Sequence, residues 1–145
     1  MIKRLFYIAA AAVLSLALIV SCKRETMPEE QEGSKIVGVW ELTDIITKSP
    51  QIGDVNVSVY IEFLEDKSFS VYQKIGLGRY SLFTGSYDLY SDETLSGKYS
   101  NDKAWGPYSV TIGEKTLTLK LLEGAETDIY TKVDTVPEAV RQNLY

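Results

Sequence analysis

The sequence predicts an all-β fold: an eight-stranded antiparallel up-and-down β-barrel followed by a short C-terminal helix. Three observations carry this. From residue 37 to residue 133 the chain is a succession of short runs rich in Val, Ile, Thr, Tyr and Phe, broken at short intervals by Gly, Asp, Asn and Pro. No stripe of apolar residues at helical spacing interrupts the runs, so no crossover helix is available and neighbouring strands must pair antiparallel. The runs alternate apolar and polar side chains, and a sheet with one dry face hides that face and loses both edges by closing on itself.

In chain order the strands are expected at 37–46, 57–64, 68–75, 80–90, 95–100, 107–112, 116–122 and 128–133. Turn length fixes register, because a slip of one residue would turn every side chain to the other face. A turn at Glu65, Asp66 and Lys67 sets Phe63 opposite Phe69, Ile61 opposite Val71 and Val57 opposite Ile75, with Gln73 facing Val59 as the one polar break in the row. A two-residue turn at Glu114 and Lys115 sets Ile112 opposite Leu117, Val110 opposite Leu119 and Tyr108 opposite Leu121. Ser58, Glu62, Ser70, Lys74, Thr118 and Lys120 point the other way, so the outer face is expected to be wet. After the last strand, Thr135-Val136-Pro137-Glu138 reads as a capping box with Pro in the first turn, opening a helix to about Asn143.

Ahead of the barrel, Lys3 and Arg4 precede an Ala-rich apolar run over 5–20 that is short for a membrane span, the pattern of a signal peptide. The run ends in Ile19-Val20-Ser21-Cys22, which resembles the lipobox of lipoprotein signal peptides. That resemblance implies cleavage after residue 21 and diacylation of Cys22, the only cysteine of the chain. Residues 22–35 then carry the lipid and a flexible tether, since KRETMPEEQEGSK has no apolar periodicity. Within it Glu29, Glu30 and Glu32 resemble the acidic export signal of surface-exposed lipoproteins. Residues 36–145 make the barrel domain. From these features the protein is expected at the outer membrane, lipid-anchored, on its periplasmic face or at the cell surface.

Removing Lys3 and Arg4, the only charges before Cys22, takes the formal net charge from −5 to −7. An acidic domain without a basic cluster is not expected to hold nucleic acid phosphates or anionic head groups, so membrane attachment falls to the lipid on Cys22. The chain has no His, and its single Cys is committed to the lipid. A Ser-His-Asp triad, a Cys-His pair and a His-ligated zinc are therefore excluded. What remains is carboxylate chemistry, and Glu65-Asp66, Asp92-Glu93 and the acids over 123–126 sit in solvated turns. No catalytic residue, metal site or cofactor is expected.

Four motifs in order resemble the small bacterial lipocalin-like lipoproteins. Gly38-Val39-Trp40 is similar to the G-x-W signature, 63–69 to an F-x-x-D-G-x-F hairpin with Lys67 in place of the glycine, Gly85-Ser86-Tyr87 to a G-x-Y strand, and Tyr130-Thr131-Lys132 to a closing Y-x-K. The resemblance implies a barrel that often holds a ligand and implies no reaction. It further implies that Gly38 packs closely at the closed end and that Trp40 plugs it beneath Lys132.

In a meander, successive connections fall at opposite ends of the barrel. Those at 47–56, 76–79, 101–106 and 123–127 are the longer ones, so an open mouth is expected at their end, away from the tether. Ile52, Leu77, Arg79 and Trp105 lie in those loops and are the candidate ligand or partner contacts, with interior Gln73 and Tyr87 behind them. Two functions fit: a barrel holding a small apolar or amphipathic ligand, or a barrel filled by its own side chains that docks an envelope protein.

Overall fold

A computed structural model describes residues 35–47, 55–91 and 93–145. Eight strands follow one another: β1 (Gly38–Ile46), β2 (Val57–Phe63), β3 (Ser68–Ile75), β4 (Ser81–Leu89), β5 (Thr94–Tyr99), β6 (Ala104–Ile112), β7 (Thr116–Leu121) and β8 (Thr127–Val133). Each is hydrogen-bonded antiparallel to the next and β8 closes on β1, so the sheet is a closed all-β barrel. A single turn of helix, α1 (Glu138–Arg141), follows. All eight ladders and both apolar clusters described below are made within residues 35–145, so among the described residues that segment is a closed barrel with its own core, the condition for folding as a unit.

Both hairpin registers follow turn chemistry. Phe63 faces Phe69, Ile61 faces Val71, Val59 faces Gln73 and Val57 faces Ile75; Ile112 faces Leu117, Val110 faces Leu119 and Tyr108 faces Leu121. At the first turn Leu64 N–H donates to Ser68 O at 2.9 Å, and Asp66 Oδ1 accepts from both the backbone N–H and the hydroxyl of Ser68. Those bonds hold the Asp66 carboxyl below its usual range and lock the turn that places Lys67 at φ 64°. A non-glycine residue is thus accepted in left-handed backbone, where glycine is ordinarily favoured.

Three expectations are corrected. The sixth strand begins at Ala104, three residues before the expected 107, because Gly106 takes φ 82° and a register shift between Leu95 and Gly97 lets pairing continue past Pro107. The capping box does not form. The residue before the helix is Pro137, no side chain caps the first turn, and the Thr135 hydroxyl donates to Val136 O at 3.3 Å.

The outer face is also not uniformly wet. Val39, Tyr60 and Tyr72 point outward yet are buried, because residues 134–145 fold back over β1 to β4 and cover them with Val136, Val140 and Leu144. Tyr80 N–H donates to Asn143 O and Tyr145 N–H to Tyr80 O, which adds a short parallel bridge. Arg141 fastens the helix by donating to the Tyr72 hydroxyl at 3.1 Å and to Glu62 at 3.3 Å, with its guanidinium 5.5 Å from the Tyr72 ring. The tyrosine hydroxyls on this face are satisfied in turn: Tyr60 donates to Glu41 at 2.7 Å, and Ser58 pairs with Tyr80 at 2.9 Å.

Candidate functional site

The two ends of the barrel differ in how they are filled. At the tight-turn end, whose connections are 64–67, 90–93 and 113–115, Ile36 and Trp40 are wholly buried. The Trp40 indole N–H donates to Ile36 O at 2.8 Å, drawing the chain ahead of β1 across the opening. Lys132 lies on top of this plug with its ammonium 5.3 Å from the Trp40 ring. Gly38 has φ 134°, and a Cβ there would stand 3.1 Å from Lys132 Cε, so the side-chain-free position lets the lysine cross. Two clefts flank Lys35 at this end. One, of about 170 Å³, is lined by Leu89, Glu93, Val110 and Ile112; the other, of about 360 Å³, by Ile112, Gly113, Glu114 and Lys132. The first is thus lined by one lysine and one glutamate, the second by two lysines and one glutamate.

Above the plug the interior is packed with rings. Phe63 stands edge-on to Tyr87 at 5.0 Å, and Trp105 lies 4.7 Å from Phe69, 5.1 Å from Tyr108 and 5.9 Å from Phe63. Trp105 is therefore corrected from a rim-loop residue to a core residue: it is on β6 and only 6% exposed. Tyr87 is likewise taken up by packing, its hydroxyl donating to Leu64 O at 2.9 Å. This half of the barrel is filled by its own side chains.

The other end carries the connections 47–56, 76–80, 100–103 and 122–126. The third is shorter than expected, because β6 absorbs residues assigned to the loop. Ile52 lies outside the described residues. Leu77, 98% exposed, and Arg79, also exposed, sit together in the β3–β4 connection. Gln73 faces inward on β3 just below them and is half-buried.

Sequence reasoning missed the residues that distinguish this end. Ile75 and Phe83 share the inward face with Val71 by register, yet they stay 61% and 40% exposed. Inward-pointing apolar side chains that remain wet mark an incompletely filled interior. The wall parts here. The β1–β2 ladder stops at Glu41 opposite Tyr60, while β1 stays paired to β8 as far as Ile46 opposite Thr127. The stretch 42–46 of β1 and the stretch 57–59 of β2 are thus unpaired with each other, which leaves Leu42, Ile45, Val57 and Val59 beside the gap. Phe83 is 6.0 Å from Tyr99, and Tyr99 is 5.7 Å from Phe69, so aromatic surface runs from the mouth to the packed half. Strand alternation from Tyr87 through Gly85 places Phe83 inward and was the available signal; its exposure was not.

One half-buried charged side chain faces this interior. Asp128 on β8 shares the inward face with Tyr130. Burial first, then the nearby Glu126, pushes its carboxyl up to about 6 against the opposing bond from Tyr130. Burial likewise pushes Tyr108 up to about 12 and Tyr130 well up, so both hydroxyls keep their protons. Because folding raises the Asp128 value above its unfolded 3.8, the folded state favours the protonated acid. Stability should therefore rise as pH falls from 7 through 6 towards 4. With solvent screening, the gain is about 1–2 kcal/mol. Asp128→Asn should be more stable than the wild type at pH 7, by a margin that shrinks as pH falls below 6 and closes only below the unfolded value of 3.8. Urea denaturation across this range checks this, and a margin independent of pH would show that the Asp128 carboxyl is not the titrating group.

With the geometry established, comparison with known proteins gives a family. Residues 36–119 match the lipocalin-like domain, more than half of the chain. Among solved structures, a Bacteroides uniformis protein determined by NMR is 18% identical with a TM-score of 0.53, over 71% of this chain and 93% of that one. Fatty-acid-binding protein 1 of Echinococcus granulosus is 10% identical with a TM-score of 0.39, over 69% of this chain and 98% of that one. At 18% identity the likeness to the Bacteroides uniformis protein is one of fold alone. No curated protein matches. The closed eight-stranded barrel, the Gly38-Val39-Trp40 plug under Lys132 and the match over 36–119 together make this chain a member of the lipocalin-like domain family.

Proposed function

We propose that this protein is a non-catalytic lipoprotein of the cell envelope, held by lipid on Cys22 at the outer membrane, on its periplasmic face or at the cell surface. Its barrel takes a small hydrophobic or amphipathic ligand at the long-connection end. The observation that carries the binding function is the contrast between the two halves: the tight-turn half is filled by aromatic rings and plugged by Trp40, whereas inward-facing Ile75 and Phe83 stay exposed at the mouth. Leu77 and Arg79 stand on its rim, and Gln73 offers an amide within it. Support for the anchor comes from the sequence: Lys3 and Arg4, the apolar run over 5–20, and one cysteine placed where acylation requires it.

A filled lower barrel with apolar residues around its rim also favours a second function, docking of an envelope protein. The neutral dye Nile red separates the two. In the ligand function it binds segment 35–145 saturably, and Phe83→Asp weakens binding at least about tenfold, the equivalent of 1.4 kcal/mol of apolar contact. In the docking function Nile red does not bind, and Phe83→Asp instead loses a partner captured by cross-linking in cells. If the substitution changes neither, function lies away from the mouth. Cys22→Ala should abolish labelling of the protein by a clickable fatty acid in cells, and undiminished labelling would remove the anchor.

A further inference from the structure

An interior carboxylate oxygen without a partner restricts what the barrel can hold. Asp128 Oδ1 is buried and accepts no hydrogen bond among the described residues. Asp128 Oδ2 accepts only a long bond, 3.4 Å, from the Tyr130 hydroxyl. The Tyr108 hydroxyl lies within electrostatic range on β6, with Tyr99 beyond it. The inward positions beside Asp128 on β1 and β7 are apolar, Leu42 and Ile45 on one side and Leu119 and Leu121 on the other. Glu126 in the β7–β8 connection is the other charge acting on it, and it is negative. An anion entering here would meet two acids. A donor with positive charge would satisfy the orphan oxygen, offset Glu126 and relieve the cost of burying the carboxylate.

Asp128 is also next to the opening. It pairs with Ile45 on the part of β1 that has separated from β2, so an aliphatic chain lying in the gap between Leu42, Ile45, Val57 and Val59 would end beside it. We propose that Asp128, flanked by the hydroxyls of Tyr130 and Tyr108, receives the ammonium head of an aliphatic amine whose chain occupies the mouth. The proposal rests on the ligand-binding function above and names its chemical class.

Three probes of equal chain length test it: dodecylamine, dodecanol and dodecanoate, each displacing Nile red from segment 35–145 at pH 7.5. Dodecylamine should displace the dye at a concentration at least about tenfold below that of dodecanol, one charge-assisted hydrogen bond's worth of affinity, with dodecanoate the weakest. Asp128→Asn should bring dodecylamine level with dodecanol while leaving Nile red and dodecanol affinities unchanged. Tyr130→Phe should lower the amine preference several-fold. Both variants keep the barrel, which a melting curve checks beside each titration. Dodecylamine no better than dodecanol, or a preference that survives Asp128→Asn, overturns the proposal while Nile red uptake leaves the mouth in place. Failure of Nile red to bind the wild type removes the mouth and the amine site together.

Discussion

Trp105→Ala is expected to destabilise the barrel by about 3–5 kcal/mol, the cost of removing a large ring from a core that cannot collapse. The indole lies within 4.7 to 5.9 Å of the rings of Phe69, Tyr108 and Phe63, and those rings are held by strands on three sides. None can move into the space without leaving its own neighbours. Beneath it, a Cβ on Gly97 would stand 3.0 Å from Trp105 Cε3, so the floor of the site is backbone and equally fixed. Urea denaturation should show a lower midpoint with an unchanged slope. Leu77→Ala is the control. That side chain is almost wholly exposed, so its loss should leave stability within about 0.5 kcal/mol. A change below about 1 kcal/mol for Trp105→Ala would mean that the ring is not in the stack and would return it to the rim.

Gly85→Ala should cost about 2–3 kcal/mol although it adds one methyl group. Gly85 sits opposite Phe69 on one neighbour and Tyr99 on the other. A Cβ built there would fall 2.2 Å from Lys98 O and 2.8 Å from the Phe69 ring. The carbonyl belongs to the β5 backbone and cannot rotate away, so either the β4–β5 ladder opens or the Phe69 ring leaves Trp105. Hydrogen exchange on β4 and β5 amides reports the first, and near-ultraviolet circular dichroism the second. Gly76→Ala separates packing from backbone effects. At Gly76 a Cβ meets nothing within 4 Å, but φ is +72°, so about 1 kcal/mol of left-handed strain should be the whole cost. Equal losses at the two positions would show that close packing is not what requires Gly85.

Much of the fold was legible because its signals are local. Alternation with a period of two told which side of the strands in two hairpins faces the core, and turn length between 63 and 69, and between 112 and 117, fixed their registers residue by residue. The plug was legible through resemblance: Gly38, Trp40 and Lys132 meet across β1 and β8, a contact between residues 92 positions apart that no local pattern reveals. The failures share one cause. Gly106-Pro107 breaks a strand by local rules, and in the barrel the same pair is carried through because β6 takes one extra residue against β5 between Leu95 and Gly97, and Gly97 supplies room for the indole. Trp105 therefore moved from rim to core. Tyr60 and Tyr72 were in outward register, and only the return of residues 134–145 over β1 to β4 made them buried.

By itself the sequence determined the number and order of the strands, their antiparallel pairing, the inward faces of two hairpins, and a chemistry without histidine or a second cysteine. These follow from residue type and spacing, which act over a few positions along the chain. The tertiary structure decided which half of the interior is full. Whether an inward Phe83 ends up covered or wet depends on how far the opposite wall rises and where β1 parts from β2, and whether Asp128 finds a donor depends on what β1, β6 and β7 bring to it. Packing and desolvation are sums over neighbours distant in sequence, so an unfilled mouth and an unpartnered carboxylate exist only once the barrel has closed.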